Sequence, residues 1–93
     1  MRIFEAKEGS LIFYCPGCKR GHTINREWGY NENPDKPTFS LHSIGIGNPS
    51  DLDYCHSYIT NGMIAFISDS KHSLSGQTVE LPHFPENYGL PNE

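Results

Sequence analysis

The sequence predicts a mostly β fold, a small antiparallel β domain with a zinc-knuckle site of the zinc-ribbon kind. Nine glycines and seven prolines divide its 93 residues into short apolar runs, and a Cys-Pro-Gly-Cys motif occupies residues 15–18. A domain of this size buries a small core, so a bound metal ion would supply much of its stability. We therefore expect residues 1–82 to form a single zinc-stabilised β domain and residues 83–93 an irregular C-terminal tail.

The N-terminal strands lead directly to the cysteine motif. Ile3–Ala6 and Leu11–Tyr14 are expected to form a hairpin across a Gly-containing turn, which places Cys15 at the end of the second strand. The alternation of Thr38–Ile46 is imperfect at residues 42–43, so we expect a strand with a bulge there. Short strands are also expected at Thr23–Asn25, Trp28–Tyr30 and Gln77–Pro82.

A central hairpin is the clearest local signal. Tyr54–Thr60 and Met63–Ser68 flank Asn61-Gly62, a dipeptide that favours a type I′ turn because both of its residues need positive φ. Pairing across this turn places Thr60 opposite Met63. Neighbouring strand residues then point to opposite faces, and both faces are expected to be buried.

Composition excludes several classes of protein. The net charge is −4 and the basic residues form no stripe, which argues against a nucleic-acid partner. No apolar run approaches the ~20 residues of a membrane span, and the charged N-terminus is unlike a signal peptide. Three cysteines are an odd number for a disulfide scaffold. We therefore expect reduced thiols and a location in the cytoplasm.

The cysteines predict a metal site. Cys15 and Cys18 are separated by a turn-forming Pro-Gly pair, so both thiolates can face one ion, as in a zinc knuckle. A redox pair would need a following helix in a βαβ setting, which the sequence does not predict. Cys55, the remaining cysteine, is the expected third ligand of a Zn²⁺ ion.

The fourth ligand is contested by three histidines. We favour His72, because the hairpin returns it toward Cys55. His22 follows the knuckle closely and His56 adjoins Cys55, so both are alternative ligands. Asp69 is expected to cap a turn. Its carboxylate is also expected to orient a metal-ligating imidazole through a hydrogen bond to the ring nitrogen that does not bind the metal.

Two alternative functions follow from the same residues. With three protein ligands, water could take the open position on zinc and become a nucleophile, with Asp69 or a leftover histidine as base. Alternatively, Lys19, Arg20 and Arg26 could make a zinc-ribbon nucleic-acid module, against which the negative net charge argues.

Motifs along most of the chain carry a family resemblance. They are Phe13-x-Cys15-Pro-Gly-Cys18-x3-His22, Trp28, Pro37-Thr38-Phe39-Ser40 and Cys55-His56-Ser57-Tyr58-Ile59-x2-Gly62-x-Ile64-x-Phe66-x2-Asp69-x2-His72-x-Leu74-x-Gly76-Gln77-Thr78-Val79-x-Leu81-Pro82. With them the chain resembles a family of small phage and prophage proteins that often carry the label "ammonia monooxygenase". The label looks unfounded, because that enzyme is a large membrane-bound complex. The chain departs from the family pattern at Leu41-His42, where relatives have Pro-Ser, and at Ser70, where relatives often have Cys.

The resemblance implies a phage origin and supplies no activity. It assigns to the family pattern the residues Cys15, Cys18, His22, Cys55, His56, Asp69 and His72. Together with the small size and the metal spacing, it predicts a zinc-binding domain that acts by protein binding. The expected partner is a host protein, so the domain would inhibit a host enzyme or a defence system.

Overall fold

Two small antiparallel sheets make up the protein in a computed structural model that describes residues 1–6 and 8–86. The first sheet has the order β1-β2-β3 and the second the order β4-β5-β6-β7. A 3₁₀ helix at Arg26–Trp28 is the one helical element of the described ranges. The strands are β1 Ile3–Glu5, β2 Leu11–Cys15, β3 Arg20–Ile24, β4 Ile44–Ile46, β5 Cys55–Thr60, β6 Met63–Phe66 and β7 Thr78–Glu80. The predicted mostly β fold class is confirmed.

The first sheet holds the cysteine knuckle at its β2–β3 turn. In β2 the side chains of Leu11, Phe13 and Cys15 are buried, and the residues between them are half-buried. The four residues between the strands close the turn through a hydrogen bond from the Lys19 N–H to the Cys15 carbonyl (2.8 Å). Lys19 has a left-handed φ of 62°, which reverses the chain after the second cysteine.

The central hairpin has the predicted register. Thr60 pairs with Met63 and Ile59 with Ile64 across the turn. Both turn residues have positive φ, 51° for Asn61 and 80° for Gly62, as a type I′ turn requires.

The expectation that both faces of this hairpin are buried was wrong. Cys55, Ser57 and Ile59 are almost fully buried on the inner face. On the outer face Tyr58 is 49% exposed and Met63 40% exposed. The second sheet packs on the core with one face only, which is common for antiparallel sheets.

The predicted bulged strand over Thr38–Ile46 is only partly formed. Phe39 makes an isolated bridge with Tyr30, and regular pairing begins at Ile44. Between them the Leu41 N–H donates to the Trp28 carbonyl (3.0 Å), so this stretch is tied to the 3₁₀ helix instead of to a strand.

A single cluster of buried side chains joins the inner faces of the two sheets. Its members are Ile3, Leu11, Phe13, Cys15, Ile24, Phe39, Ile44, Cys55, Ile59, Ile64, Phe66 and Leu81. The antiparallel strands alternate inward and outward side chains, so each buried residue is followed by a more exposed one.

The start of the predicted tail lies against the N-terminus. The Phe84 N–H donates to the Met1 carbonyl (2.8 Å), and the Phe84 ring stacks on Phe4 with 5.2 Å between centroids. The rest of the predicted tail, residues 87–93, lies outside the described residues. Over the described ranges, no helix has the length and apolar character needed to cross a membrane.

Candidate functional site

Four donor side chains converge where the two sheets meet. Cys15 ends β2, Cys18 lies in the knuckle turn, His22 is in β3 and Cys55 begins β5. Their ligand atoms all lie within 4.8 Å of one another. The arrangement can hold a metal ion with three sulfur donors and one nitrogen donor.

The separation of two of these donors matches that of two sulfurs on a tetrahedral metal ion. Cys15 Sγ and Cys55 Sγ are 3.8 Å apart. A tetrahedral ion with metal–sulfur bonds of about 2.3 Å would hold two sulfurs at roughly this separation. The buried Nε2 of His22 makes no hydrogen bond of normal geometry within the described residues, although His22 lies close enough to Cys15 to help lower the pKa of that thiol. Coordination would satisfy this buried nitrogen.

The electrostatics of the cluster also suit a cation. A hydrogen bond from the Cys55 thiol lowers the pKa of Cys15 to about 4, and the same bond raises the pKa of Cys55. Burial and the neighbouring Cys15 charge raise the pKa of Cys18. One negative charge is thus favoured among the three sulfurs, and further thiolates would need a cation to offset their repulsion.

His72, the favoured fourth ligand of the sequence analysis, lies beside the four converging donors. Its Nε2 is 3.6 Å from Cys55 Sγ, and its Nδ1 accepts a hydrogen bond from the Leu74 N–H (3.2 Å). The imidazole lies so close to Gly17 that a Cβ there would be 2.2 Å from the ring. His72 therefore covers the knuckle. His22 is the histidine among the four converging donors. Ligation by His72 stays a prediction.

A second constellation lies on the other face of β5. His56 follows Cys55, so its side chain points away from the metal cluster. Its Nε2 is 2.9 Å from Ser43 Oγ, and its Nδ1 is 3.2 Å and 3.3 Å from the two carboxylate oxygens of Asp69. The structure thus aligns a hydroxyl, an imidazole and a carboxylate in one row.

The acceptor-only carboxylate of Asp69 selects one tautomer of a neutral His56 imidazole. A carboxylate only accepts hydrogen bonds, so in the neutral imidazole the single proton lies on Nδ1 of His56 and faces Asp69. The lone pair of Nε2 then faces the Ser43 hydroxyl, which donates to it. This is the arrangement in which an imidazole can take a proton from a serine nucleophile.

The row is open to solvent at the surface of the second sheet. The side chain of His56 is 23% exposed and that of Asp69 is 50% exposed. Ser43 is half-buried just before β4. The His56 and Asp69 side chains are thus accessible from solvent, and the Tyr54 ring, 5.8 Å from the imidazole centroid to centroid, packs beside His56.

The backbone around this row is held by Ser70. The buried Ser70 hydroxyl accepts from the His56 N–H (2.9 Å) and donates to the His56 carbonyl (2.7 Å). The Ile67 N–H donates to the same carbonyl (2.8 Å). These bonds hold the turn that carries Asp69 against the strand that carries His56. The backbones of both residues of the His56–Asp69 contact are therefore fixed.

The sequence analysis singled out two of these three side chains. It assigned His56 and Asp69 to metal chemistry, and it missed Ser43 as a functional residue. The imperfect alternation at residues 42–43 was the available signal, and it indicated a bulge. Only the pairing of β4 with β5, which sets Gly45 opposite His56, brings Ser43 beside the imidazole.

Comparison with known families supplies one match. A family model described as "Bacterial ubiquitination-like system serine protease (BubE)" matches residues 2–67. No curated protein and no solved structure matches the chain. The matched residues include Ser43, His56 and all three cysteines.

Proposed function

We propose that this chain, which belongs to the BubE family, is a serine hydrolase in which Ser43 is the nucleophile, His56 the general base and Asp69 the orienting carboxylate. The observation that carries the proposal is the continuous row from Ser43 Oγ through the imidazole to the Asp69 carboxylate. The family description names a serine protease, and the three side chains of the row are those that such chemistry uses.

The chemistry would proceed through an acyl-enzyme. Ser43 Oγ attacks a carbonyl carbon while His56 Nε2 takes the hydroxyl proton. The resulting imidazolium is stabilised by the Asp69 carboxylate, and it gives the proton to the leaving amine as the amide bond breaks. Water then attacks the Ser43 ester, again with His56 as base, and restores the free hydroxyl.

We assign Zn²⁺ to the metal site in a structural role. Three sulfurs and one imidazole are a common closed ligand set for structural zinc, whereas hydrolytic zinc keeps a position for water. The cluster faces away from His56, and Cys15 and Cys55 are buried. These features favour the Ser43 row over the zinc-activated water that the sequence allowed.

The family description supports a protein as the substrate. A serine protease of a bacterial ubiquitination-like system would act on a peptide or isopeptide bond of a protein, so the protein partner expected from the sequence would be a substrate. Binding without catalysis, as an inhibitor of a host protein, would leave the alignment of Ser43 with His56 unused. Reduced thiolates in the metal site support the cytoplasm as the compartment.

Labelling with a fluorophosphonate probe tests the proposal. The probe should modify the wild type at Ser43, as mass spectrometry of the labelled peptide would show. Ser43→Ala should not be labelled, and Asp69→Asn should react about 10⁴-fold more slowly because the imidazole adopts the wrong tautomer. Ser73→Ala, which removes an exposed hydroxyl outside the row, is the matched control and should react normally.

Two results would contradict the proposal. Labelling that persists in Ser43→Ala would place the nucleophile elsewhere. A folded, metal-loaded wild type that the probe does not modify would support a binding role instead.

A further inference from the structure

Strand β4 lies at one edge of the second sheet. It pairs with β5 on its inner side, and no strand of residues 1–6 or 8–86 pairs with its outer side. Ser43 directly precedes this strand. The row of reactive side chains is therefore located at the end of an open sheet edge.

The backbone of Gly45 faces this open edge. In the β4–β5 register Gly45 is opposite His56. The His56 N–H and carbonyl are both bonded toward Ser70 and Ile67, on the side of β5 that is remote from β4. Gly45 and His56 are thus a non-hydrogen-bonded pair, and in such a pair the N–H and carbonyl of each residue point away from the partner strand.

The Tyr54 hydroxyl lies over the face of Gly45, while the Gly45 N–H and carbonyl point along the sheet toward its open edge. Gly45 and Ser43 are two residues apart and so share a face of the strand, about 7 Å from one another. A Cβ at Gly45 would lie 3.4 Å from Tyr54 Oη, which is ordinary close packing. A chain paired with this edge would lie beside Gly45 in the plane of the sheet, away from the face that Tyr54 covers, and would extend to Ser43.

We propose that the outer edge of β4 binds the substrate as an extended peptide strand, with the N–H and carbonyl of Gly45 hydrogen-bonded to one of its residues. The bonded residue would lie about two positions from the carbonyl that Ser43 attacks. Addition of a strand to a sheet edge recognises the peptide backbone independently of side chains. The inference rests on the proposed function, because it assigns the substrate of the Ser43 row.

Two alanine-based probes test this inference. One is an N-acetyl-alanyl diphenyl phosphonate, which reports on the reactivity of Ser43 alone. The other carries three alanines and can also pair with the sheet edge. The wild type should react faster with the longer probe, by about fivefold or more, since each added hydrogen bond contributes roughly a 3- to 10-fold gain.

Gly45→Pro removes the outward N–H and should abolish most of the advantage of the longer probe. Proline is tolerated on edge strands when its nitrogen faces outward, so the sheet should remain intact. Gly45→Ala adds the same Cβ but keeps the N–H, and it should retain the advantage. The advantage is measured within each variant as the ratio of the rates for the longer and the short probe, so that a change in the reactivity of Ser43 itself cancels.

A second measurement avoids substitution of the protein. Versions of the longer probe that are N-methylated at one residue each should include one that loses the advantage on the wild type, because its amide can no longer donate to the Gly45 carbonyl. Equal rates for all N-methylated versions, or an unchanged advantage in Gly45→Pro, would overturn the edge-binding inference while the proposed function stands. Failure of both probes to modify the wild type would overturn the proposed function and, with it, this inference.

Discussion

Two buried serines on neighbouring elements have opposite environments. Ser57 Oγ is fully buried on the inner face of β5 and has no hydrogen-bond partner among the described residues. The residue Ser70 is 5% exposed, and its hydroxyl makes two hydrogen bonds to the backbone of His56. A buried hydroxyl without a partner costs free energy, whereas a satisfied one contributes to stability.

Alanine at these two serines should therefore give opposite results. Ser57→Ala should leave the free energy of unfolding unchanged or raise it by up to about 1 kcal/mol, because it removes an unsatisfied hydroxyl. Ser70→Ala should lower it by about 1–3 kcal/mol and should also slow fluorophosphonate labelling of Ser43, because the His56 N–H loses its partner. Urea denaturation and the labelling rate of each variant measure both effects. A larger loss of stability in Ser57→Ala than in Ser70→Ala would contradict this account.

The fourth metal ligand can be decided with a pair of histidine variants. His22→Ala should lose the metal, because His22 belongs to the converging set of donors. His72→Ala should keep the metal with an affinity reduced by about 10- to 100-fold, as expected for a group that contacts a ligand without coordinating. Elemental analysis of both purified variants, followed by a chelator competition, makes the measurement. Loss of metal in His72→Ala alone would restore the ligand predicted from the sequence.

Residue chemistry could be predicted from the sequence where the donors are close along the chain. The spacing of Cys15 and Cys18 indicates a knuckle by itself. Ser43 carries no such local mark, because serine is common in loops and its partners lie in β5 and beyond β6. A row of this kind is recognised by its geometry, and its members occur in different chain orders in unrelated proteins.

At the scale of elements, the hairpin of β5 and β6 is the best-specified unit. Its turn dipeptide determines the register without help from the rest of the fold, which is why the pairing could be predicted. The stretch before β4 could not, because its partners are the 3₁₀ helix and Ile59, both distant in sequence. Alternation of apolar and polar residues within a short segment does not reveal which distant backbone groups will form hydrogen bonds with that segment.

The turn itself yields a stability prediction. Gly62 has a φ of 80° and its Cβ position would be 3.4 Å from Lys36 Cα, so Gly62→Ala should lower the free energy of unfolding by about 1–2 kcal/mol. Asn61→Gly introduces a residue that also tolerates positive φ, so it should change the free energy of unfolding by only about a few tenths of a kcal/mol. Thermal denaturation followed by circular dichroism compares the two variants. Equal midpoints for the two variants would argue against the positive-φ requirement at Gly62.

At the scale of the whole molecule, the candidate metal site draws its donors from both sheets. Cys15, Cys18 and His22 belong to the first sheet and its turn, and Cys55 belongs to the second. Structural zinc sites contribute directly to folding, because the unfolded chain has no preformed site. A metal ion bound by this cluster would therefore stabilise the relative position of the sheets as well as the knuckle.

Removal of the metal should accordingly abolish the reactivity of Ser43, although the metal takes part in no step of the proposed chemistry. Loss of the Cys55 anchor should free the start of β5, and His56 should then lose its contacts with Ser43 and Asp69. Fluorophosphonate labelling should disappear on chelation, together with the cooperative thermal transition, and both should return when Zn²⁺ is added. Full labelling of a chelated, metal-free sample would show that the two sites are independent.

The adjacency of Cys55 and His56 also restricts how this chain can change during evolution. Insertion or deletion of a single residue in β5 near these positions would exchange the faces of the following side chains, sending a thiol outward or an imidazole into the core. One such event would damage the metal cluster and the Ser43 row at the same time. We expect sequences of this family to vary in the lengths of their loops while conserving the length of this strand, so that both sites are inherited as a unit.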